Sequence, residues 1–220
     1  MKHELLTFDD DETLAHAAAS YVIGIAQQAV AEKGVFDFAV SGGKTPWAMF
    51  AELASLDMPW EHTIIYQVDE RVAPEGDPDR NLTNLAQSLG NTRALVRPMP
   101  VNDVDLDDAV LEYASILPAQ LDLVHLGLGP DGHTASLIPD DPVLDVDDQL
   151  IAMTGPYQGH PRMTMTYLAL ALADQLLWLV TGADKLDPLA KLLDGDTSIP
   201  AGRVAAAHSL IMADRSAVTP

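Results

Sequence analysis

The chain has 220 residues, with 33 Asp and Glu against 12 Lys and Arg, a formal net charge of −21 and no cysteine. That length supports one substantial core. So acidic a surface argues against a nucleic-acid or anionic-membrane partner, which would need a basic stripe. Without cysteine, disulfides, thiolate catalysis and zinc–thiolate sites are excluded. The acidic excess and low lysine count also fit adaptation to high salt, which screens self-repulsion.

From the N-terminus, no signal-like apolar core precedes Asp9–Thr13, which supplies cap candidates for an Ala-rich helix over Leu14–Lys33 that Gly34 stops. Val35–Val40 reads as a strand, followed by Ser41-Gly42-Gly43-Lys44-Thr45-Pro46 and a helix over Trp47–Ala54. His62–Val68 is a second strand, running into Asp69-Glu70-Arg71 and a Pro/Gly/Asp-rich loop to Arg80. Asn81 is placed to cap a short helix over Leu82–Leu89, and Asp105–Leu117 is helical. Leu121–Leu126 is an apolar strand ending in Gly127-Leu128-Gly129-Pro130-Asp131-Gly132-His133. Further strands are expected at Gln149–Thr154, Met163–Thr166 and Leu176–Val180, a helix at Asp184–Leu193 and a last short strand at Leu210–Ala213. No run is long and apolar enough to span a bilayer, and no composition break divides the chain. The expectation is a single domain over residues 1–220, in the cytoplasm.

Strands alternating with helices predict an α/β fold around a mostly parallel sheet flanked by helices. In such a sheet the C-terminal strand ends share one edge. Ser41-Gly42-Gly43, Asp69-Glu70-Arg71 and Gly129–His133 therefore converge there, although they are distant in sequence.

Each motif has an ordinary reading beside a functional one. Ser41–Pro46 is either a tight strand–helix turn or an anion cradle, with free amides at Gly42 and Gly43, hydroxyls at Ser41 and Thr45, and a helix N-terminus behind them. It lacks the spacing of a Walker loop. Gly127–Gly132 fits Gly-x-Gly-x-x-Gly, but mid-chain, with Pro130 and Asp131 where a pyrophosphate would lie, so a nicotinamide cofactor is not expected. His133 either caps a following helix or acts as a base oriented by Asp131. His125, inside the apolar strand, reads as a hydrogen-bonded core residue. Asp69-Glu70-Arg71 is a compact ion-pair set that anchors a loop or contributes to the site. In a chain this acidic, Arg162 and Lys185 near strand ends are candidate phosphate ligands, and Arg203 is a weaker third. Trp47, Trp60 and Trp178 read as packing residues. The histidine spacing offers no metal site.

Taken together these segments resemble the 6-phosphogluconolactonase family, within the glucosamine-6-phosphate isomerase/deaminase-like superfamily. The resemblance rests on Ser41-Gly42-Gly43-x-Thr45-Pro46, on Asp69-Glu70-Arg71 with Asn81, and on Leu126–His133 continuing through Thr134-Ala135-Ser136-Leu137-x-Pro139. Pro161-Arg162-Met163-Thr164 and Val180-Thr181-Gly182-Ala183-Asp184-Lys185 extend it. The deaminases carry Asn-Glu-Pro where this chain has Leu137-Ile138-Pro139, and Asp-Glu-Tyr where it has Asp69-Glu70-Arg71. Arg80 departs from the lactonase pattern, where Ser precedes the Asn.

The resemblance implies a Rossmann-like three-layer fold. It also implies hydrolysis of 6-phospho-D-glucono-1,5-lactone to 6-phospho-D-gluconate in the oxidative pentose phosphate pathway, with no cofactor or metal. His133, Asp131, Asp69 and Arg71 would be catalytic; Ser41, Gly42, Gly43, Lys44, Thr45, Arg162, Lys185 and Arg203 would hold substrate and its phosphate. The partner is a small sugar phosphate, and the protein a monomer or small homo-oligomer. Two other readings are a sugar-phosphate deaminase and a non-catalytic sugar-phosphate effector domain. A nucleotide-binding module is a third.

Overall fold

In the computed structural model, which describes residues 2–219, the chain builds ten strands. They are β1 (Glu4–Phe8), β2 (Phe36–Val40), β3 (Thr63–Gln67), β4 (Asp69–Arg71), β5 (Leu95–Arg97), β6 (Leu121–Gly127), β7 (Ile151–Tyr157), β8 (His160–Met165), β9 (Ala173–Val180) and β10 (His208–Asp214). Seven α-helices accompany them: α1 (Asp11–Lys33), α2 (Lys44–Ser55), α3 (Asn81–Leu89), α4 (Leu106–Ser115), α5 (Tyr167–Leu170), α6 (Leu186–Leu193) and α7 (Arg215–Val218). The local signals explain the longest of these. Asp10 caps α1 by accepting from the Thr13 amide at 2.8 Å, and Gly34, at φ 82°, ends it by donating to the Val30 carbonyl. Asp105 caps α4 in the same way.

The main sheet has the order β1-β10-β9-β6-β2-β3-β5, with every pairing parallel. Both faces are covered, so its strands are apolar on both sides. On one face Phe36, Phe38 and Val40 of β2 pack with Leu123, Leu177 and Leu179 beneath α1, α2 and α3. The opposite set, Ala39, Val124, Leu126, Trp178 and Val180, packs against α4, α6, α7 and a small antiparallel sheet ordered β4-β8-β7. Full burial of each large apolar side chain contributes about 1.5–3 kcal/mol.

Chain order decides where the site lies. From β2 the chain moves one way across the sheet, to β3 and β5; from β6 it moves the other way, to β9 and β10. β2 and β6 are neighbours, so the crevice beyond their C-terminal ends is the topological switch point.

Several expectations change. β1, β4 and β5 arise where no strand was read. β7 runs past Gly155-Pro156 to Tyr157, and β8 begins at His160, so Arg162 lies inside a strand. Asn81 is the first helical residue of α3, with Arg80 at the cap position and no side-chain cap bond. The Asp184–Leu193 segment opens with a 3-10 turn, Ala183–Lys185, before α6. No helix follows His133; Thr134–Leu137 forms a tight turn instead, with Ala135 at φ 52°. Among the described residues no helix is long and apolar enough to cross a membrane.

Candidate active site

At the switch point a cavity of about 520 Å³ is lined by Ser41–Pro46, Asp69, Arg71, Asn81, Gly127–Pro130, His133, Ala135, Arg162, Thr181, Gly182 and Lys185, among others. The three loops expected to converge do so. That volume lies in the range of small-molecule sites.

His133, which lines the cavity, is hydrogen-bonded to Asp131. The Nδ1 of His133 lies 2.5 Å from Asp131 Oδ1, which also accepts from the His133 amide at 3.1 Å. Because an ionised carboxylate only accepts, the imidazole presents N–H at Nδ1, which leaves proton exchange to Nε2. Partial burial works against ionisation of Asp131. The His133 charge, with hydrogen bonds from His133 and Tyr157, nevertheless holds its carboxyl below the usual range. Asp131 itself stands behind the imidazole and does not line the cavity.

Two glycines are required by close approach of side chains. A Cβ on Gly129 would lie 2.1 Å from His133 Nδ1, and one on Gly42 would lie 1.9 Å from Asn81 Oδ1. The sequence reading gave Gly42 to an anion cradle; here it makes room for the Asn81 amide, and Gly129 for the imidazole. Gly132, at φ 82°, is braced from behind. Ile199 packs where its Cβ would be, and the Ala201 amide donates to its carbonyl at 3.0 Å.

The acidic motif divides across β4 with strand alternation. Glu70 faces inward, fully buried, accepting from the amides of Arg71, Asn81 and Leu82 and from Gln67, and pairing with Arg80 at 3.0 Å. Asp69 and Arg71 face the cavity. Asp69 accepts from Ser41 Oγ at 3.2 Å, Ser136 Oγ at 2.7 Å and Asn81 Nδ2 at 3.3 Å. Arg71 donates to Asn81 Oδ1 and to the Asp79 carbonyl. The expected ion-pair set is thus corrected. Glu70 pairs with Arg80, which also closes the 73–80 loop through the Ala73 carbonyl and Asn102.

At the β2 loop, Gly43 occupies the N-cap of α2 without a capping side chain, so the first-turn amides remain available to an anion. Thr45 and Thr181 hydroxyls meet at 2.7 Å. Lys185 is mostly buried and pairs with Asp184 at 2.8 Å. Arg162 is 3 % exposed. It donates to the Tyr157 carbonyl at 3.3 Å and reaches Ser136 Oγ at 3.4 Å, with its guanidinium 5.0 Å from the centroid of the Tyr157 ring.

Two expected ligands are placed differently. The Lys44 ammonium is exposed at the rim, 3.9 Å from Asp11, so its backbone serves the cradle better than its charge does. Arg203 is outside the cavity. Its turn is committed to bracing Gly132, so the side chain points outward, with Nε donating to the Thr197 carbonyl at 3.1 Å.

His125 is fully buried as expected, but neither ring nitrogen has a hydrogen-bond partner among the described residues; it packs edge-on to Phe50. Trp178 is fully buried, while Trp47 and Trp60 are partly buried. Sequence reasoning named neither Asn81, Ser136 nor Thr181 as site residues, although all three lie inside the recognised motifs. It missed Tyr157 altogether, which no motif marks.

A parallel α/β sheet carrying a carboxylate-paired histidine, an uncapped helix N-terminus and several cations at its switch point defines an enzyme-type site for a small anionic substrate. Residues 9–212 match the family described as glucosamine-6-phosphate isomerases/6-phosphogluconolactonase, and the chain belongs to that family. It is 34% identical over 228 residues to a 6-phosphogluconolactonase of Caulobacter vibrioides, covering 98% of this chain and 95% of that one. It is 38% identical over 193 residues to the GDH/6PGL endoplasmic bifunctional protein of Oryctolagus cuniculus, covering 80% of this chain but only 24% of that protein. Among solved structures, a 6-phosphogluconolactonase from Thermotoga maritima superposes with a TM-score of 0.87 at 26% identity, over 97% of this chain and 100% of that one.

Proposed function

We propose that this protein hydrolyses 6-phospho-D-glucono-1,5-lactone to 6-phospho-D-gluconate, the lactone-opening step of the oxidative pentose phosphate pathway. The observation that carries the reading is the 2.5 Å His133–Asp131 pair, whose imidazole shares one cavity with the open N-terminus of α2. Names of relatives covering nearly the whole chain support it.

The α2 amides, Ser41, Thr45, Lys185 and Arg162 hold the phosphate. The lactone carbonyl then lies between His133 and Arg71. His133 Nε2 takes a proton from water as the water oxygen bonds to the carbonyl carbon. The resulting oxyanion is stabilised by Arg71, an effect of about 3–4 kcal/mol for a well-placed donor. Collapse breaks the bond to the ring oxygen, which receives the proton from the imidazolium. Asp131 favours the charged imidazole in between. Asp69, fixed by Ser41, Ser136 and Asn81, keeps the Ser41 and Ser136 loops in register.

A deaminase reading lacks its acid, since Leu137 and Ile138 are both buried apolar side chains where that Glu would stand. A phosphorylated, bilayer-impermeant substrate fits a cytoplasmic setting.

The test is turnover of freshly generated lactone with spontaneous hydrolysis subtracted. His133→Ala is expected to lower kcat by about 10²- to 10⁴-fold with KM little changed. Near-parental kcat in that variant, or ammonia released from glucosamine 6-phosphate by the parent, overturns the proposal.

A further inference from the structure

Tyr157 sits where three parts of the site meet. Its hydroxyl lies 3.2 Å from Asp131 Oδ2 and donates to it, while Asp131 Oδ1 holds His133. Its ring meets the His133 ring edge-to-face at a centroid distance of 5.3 Å, and the Arg162 guanidinium lies over the same ring. The carboxylate is therefore tied at both oxygens, and the imidazole is held through Asp131 and against an aromatic wall.

The backbone makes that placement rigid. Tyr157 and His160 are the paired ends of the β7–β8 hairpin, joined by Gln158 and Gly159 at φ 51° and 92°. Two consecutive left-handed residues in a two-residue loop are the hallmark of the tightest hairpin turn. On the far side of the turn, His160 Nε2 lies 3.3 Å from Asp79 Oδ2, anchoring the hairpin to the 73–80 loop.

Resting on the lactonase reading above, we propose that Tyr157 is a positioning residue for the general base. It locks the Asp131 carboxylate that orients His133 and seats Arg162 on its ring, so that one side chain couples the phosphate ligand to the acid–base pair. Burial, then the Asp131 charge, pushes the Tyr157 phenol above its ordinary pKa, so it stays a hydrogen-bond donor at any working pH. Removing the donor frees one oxygen of Asp131 and loosens its hold on the imidazole.

The experiment compares Tyr157→Phe, Tyr157→Ala and His133→Ala by steady-state kinetics, with thermal midpoints recorded for each. Tyr157→Phe keeps the ring and loses the hydroxyl. Its kcat is expected to fall about tenfold with KM within about twofold. Tyr157→Ala also loses the seat for Arg162, so KM rises as well. Parental kcat in a folded Tyr157→Phe, or a rise in KM alone in both variants, overturns the positioning role. If His133→Ala is inactive while Tyr157→Phe is unchanged, only this inference fails; an active His133→Ala overturns the base assignment itself.

Discussion

His125 shows what burial alone does to a titratable side chain. Enclosed between β2 and β9, with no hydrogen-bond partner for either ring nitrogen among the described residues, it is pushed down to a pKa of about 3. In the unfolded chain an imidazole titrates near 6.5. Above that pH neither state binds the proton, so His125 contributes its full stability. As pH falls below it, the unfolded state takes the proton first, and stability drains at about 1.4 kcal/mol per pH unit until the folded pKa is reached. Replacing His125 with Leu removes this linkage together with two unsatisfied polar atoms. The expected outcome is an unfolding free energy for His125→Leu that gains on the parent as pH is lowered from 6.5 to about 4, measured by denaturant titration at each pH. A constant difference across that range would contradict the assignment. The contrast with His133 is instructive: the same residue type, one turn beyond the same strand, has a carboxylate partner and a cavity to face.

At the level of elements, the site depends on how closely turns approach one another. The β6 turn and the β2 turn each use a glycine where a neighbouring side chain occupies the Cβ position. Gly129→Ala is therefore expected to displace the imidazole while the sheet, whose pairings end at Gly127, remains intact. The measurable result is a kcat reduced by at least about tenfold, since misplacement by an ångström costs that much or more, with a thermal midpoint close to the parent's. Unchanged kcat would mean the turn tolerates a methyl group and His133 has room to move. Glu70 plays the complementary part. Its bonds to the Asn81 and Leu82 amides and to Arg80 tie β4 to the start of α3, bringing Arg71 and Asn81 to the cavity. Arg80, the residue that departs from the lactonase pattern, supplies the countercharge for that buried carboxylate.

Over the whole molecule, a net charge of −21 sets a field that opposes both compactness and capture of an anionic substrate. Raising salt from about 0.1 to 1 M shortens the screening length from about 10 to 3 Å. The thermal midpoint is expected to rise by several degrees over that range, read by calorimetry or circular dichroism; a flat or falling midpoint would show that self-repulsion is not what limits stability.

The chain's pattern by itself determined the parallel sheet, its long helices and the three motifs at the strand ends. These follow from periodicity, caps and glycine positions, which are local. Strands β4 and β5 escaped because each has three residues, and β1, as long as β2 and β3, because it is a largely exposed edge strand. Tertiary structure alone decided that Arg203 faces solvent, that Glu70 pairs with Arg80 and that Tyr157 joins Asp131, His133 and Arg162. Such contacts span from a few residues to more than twenty along the chain, and their geometry depends on strand register and turn handedness, quantities that composition and spacing do not encode.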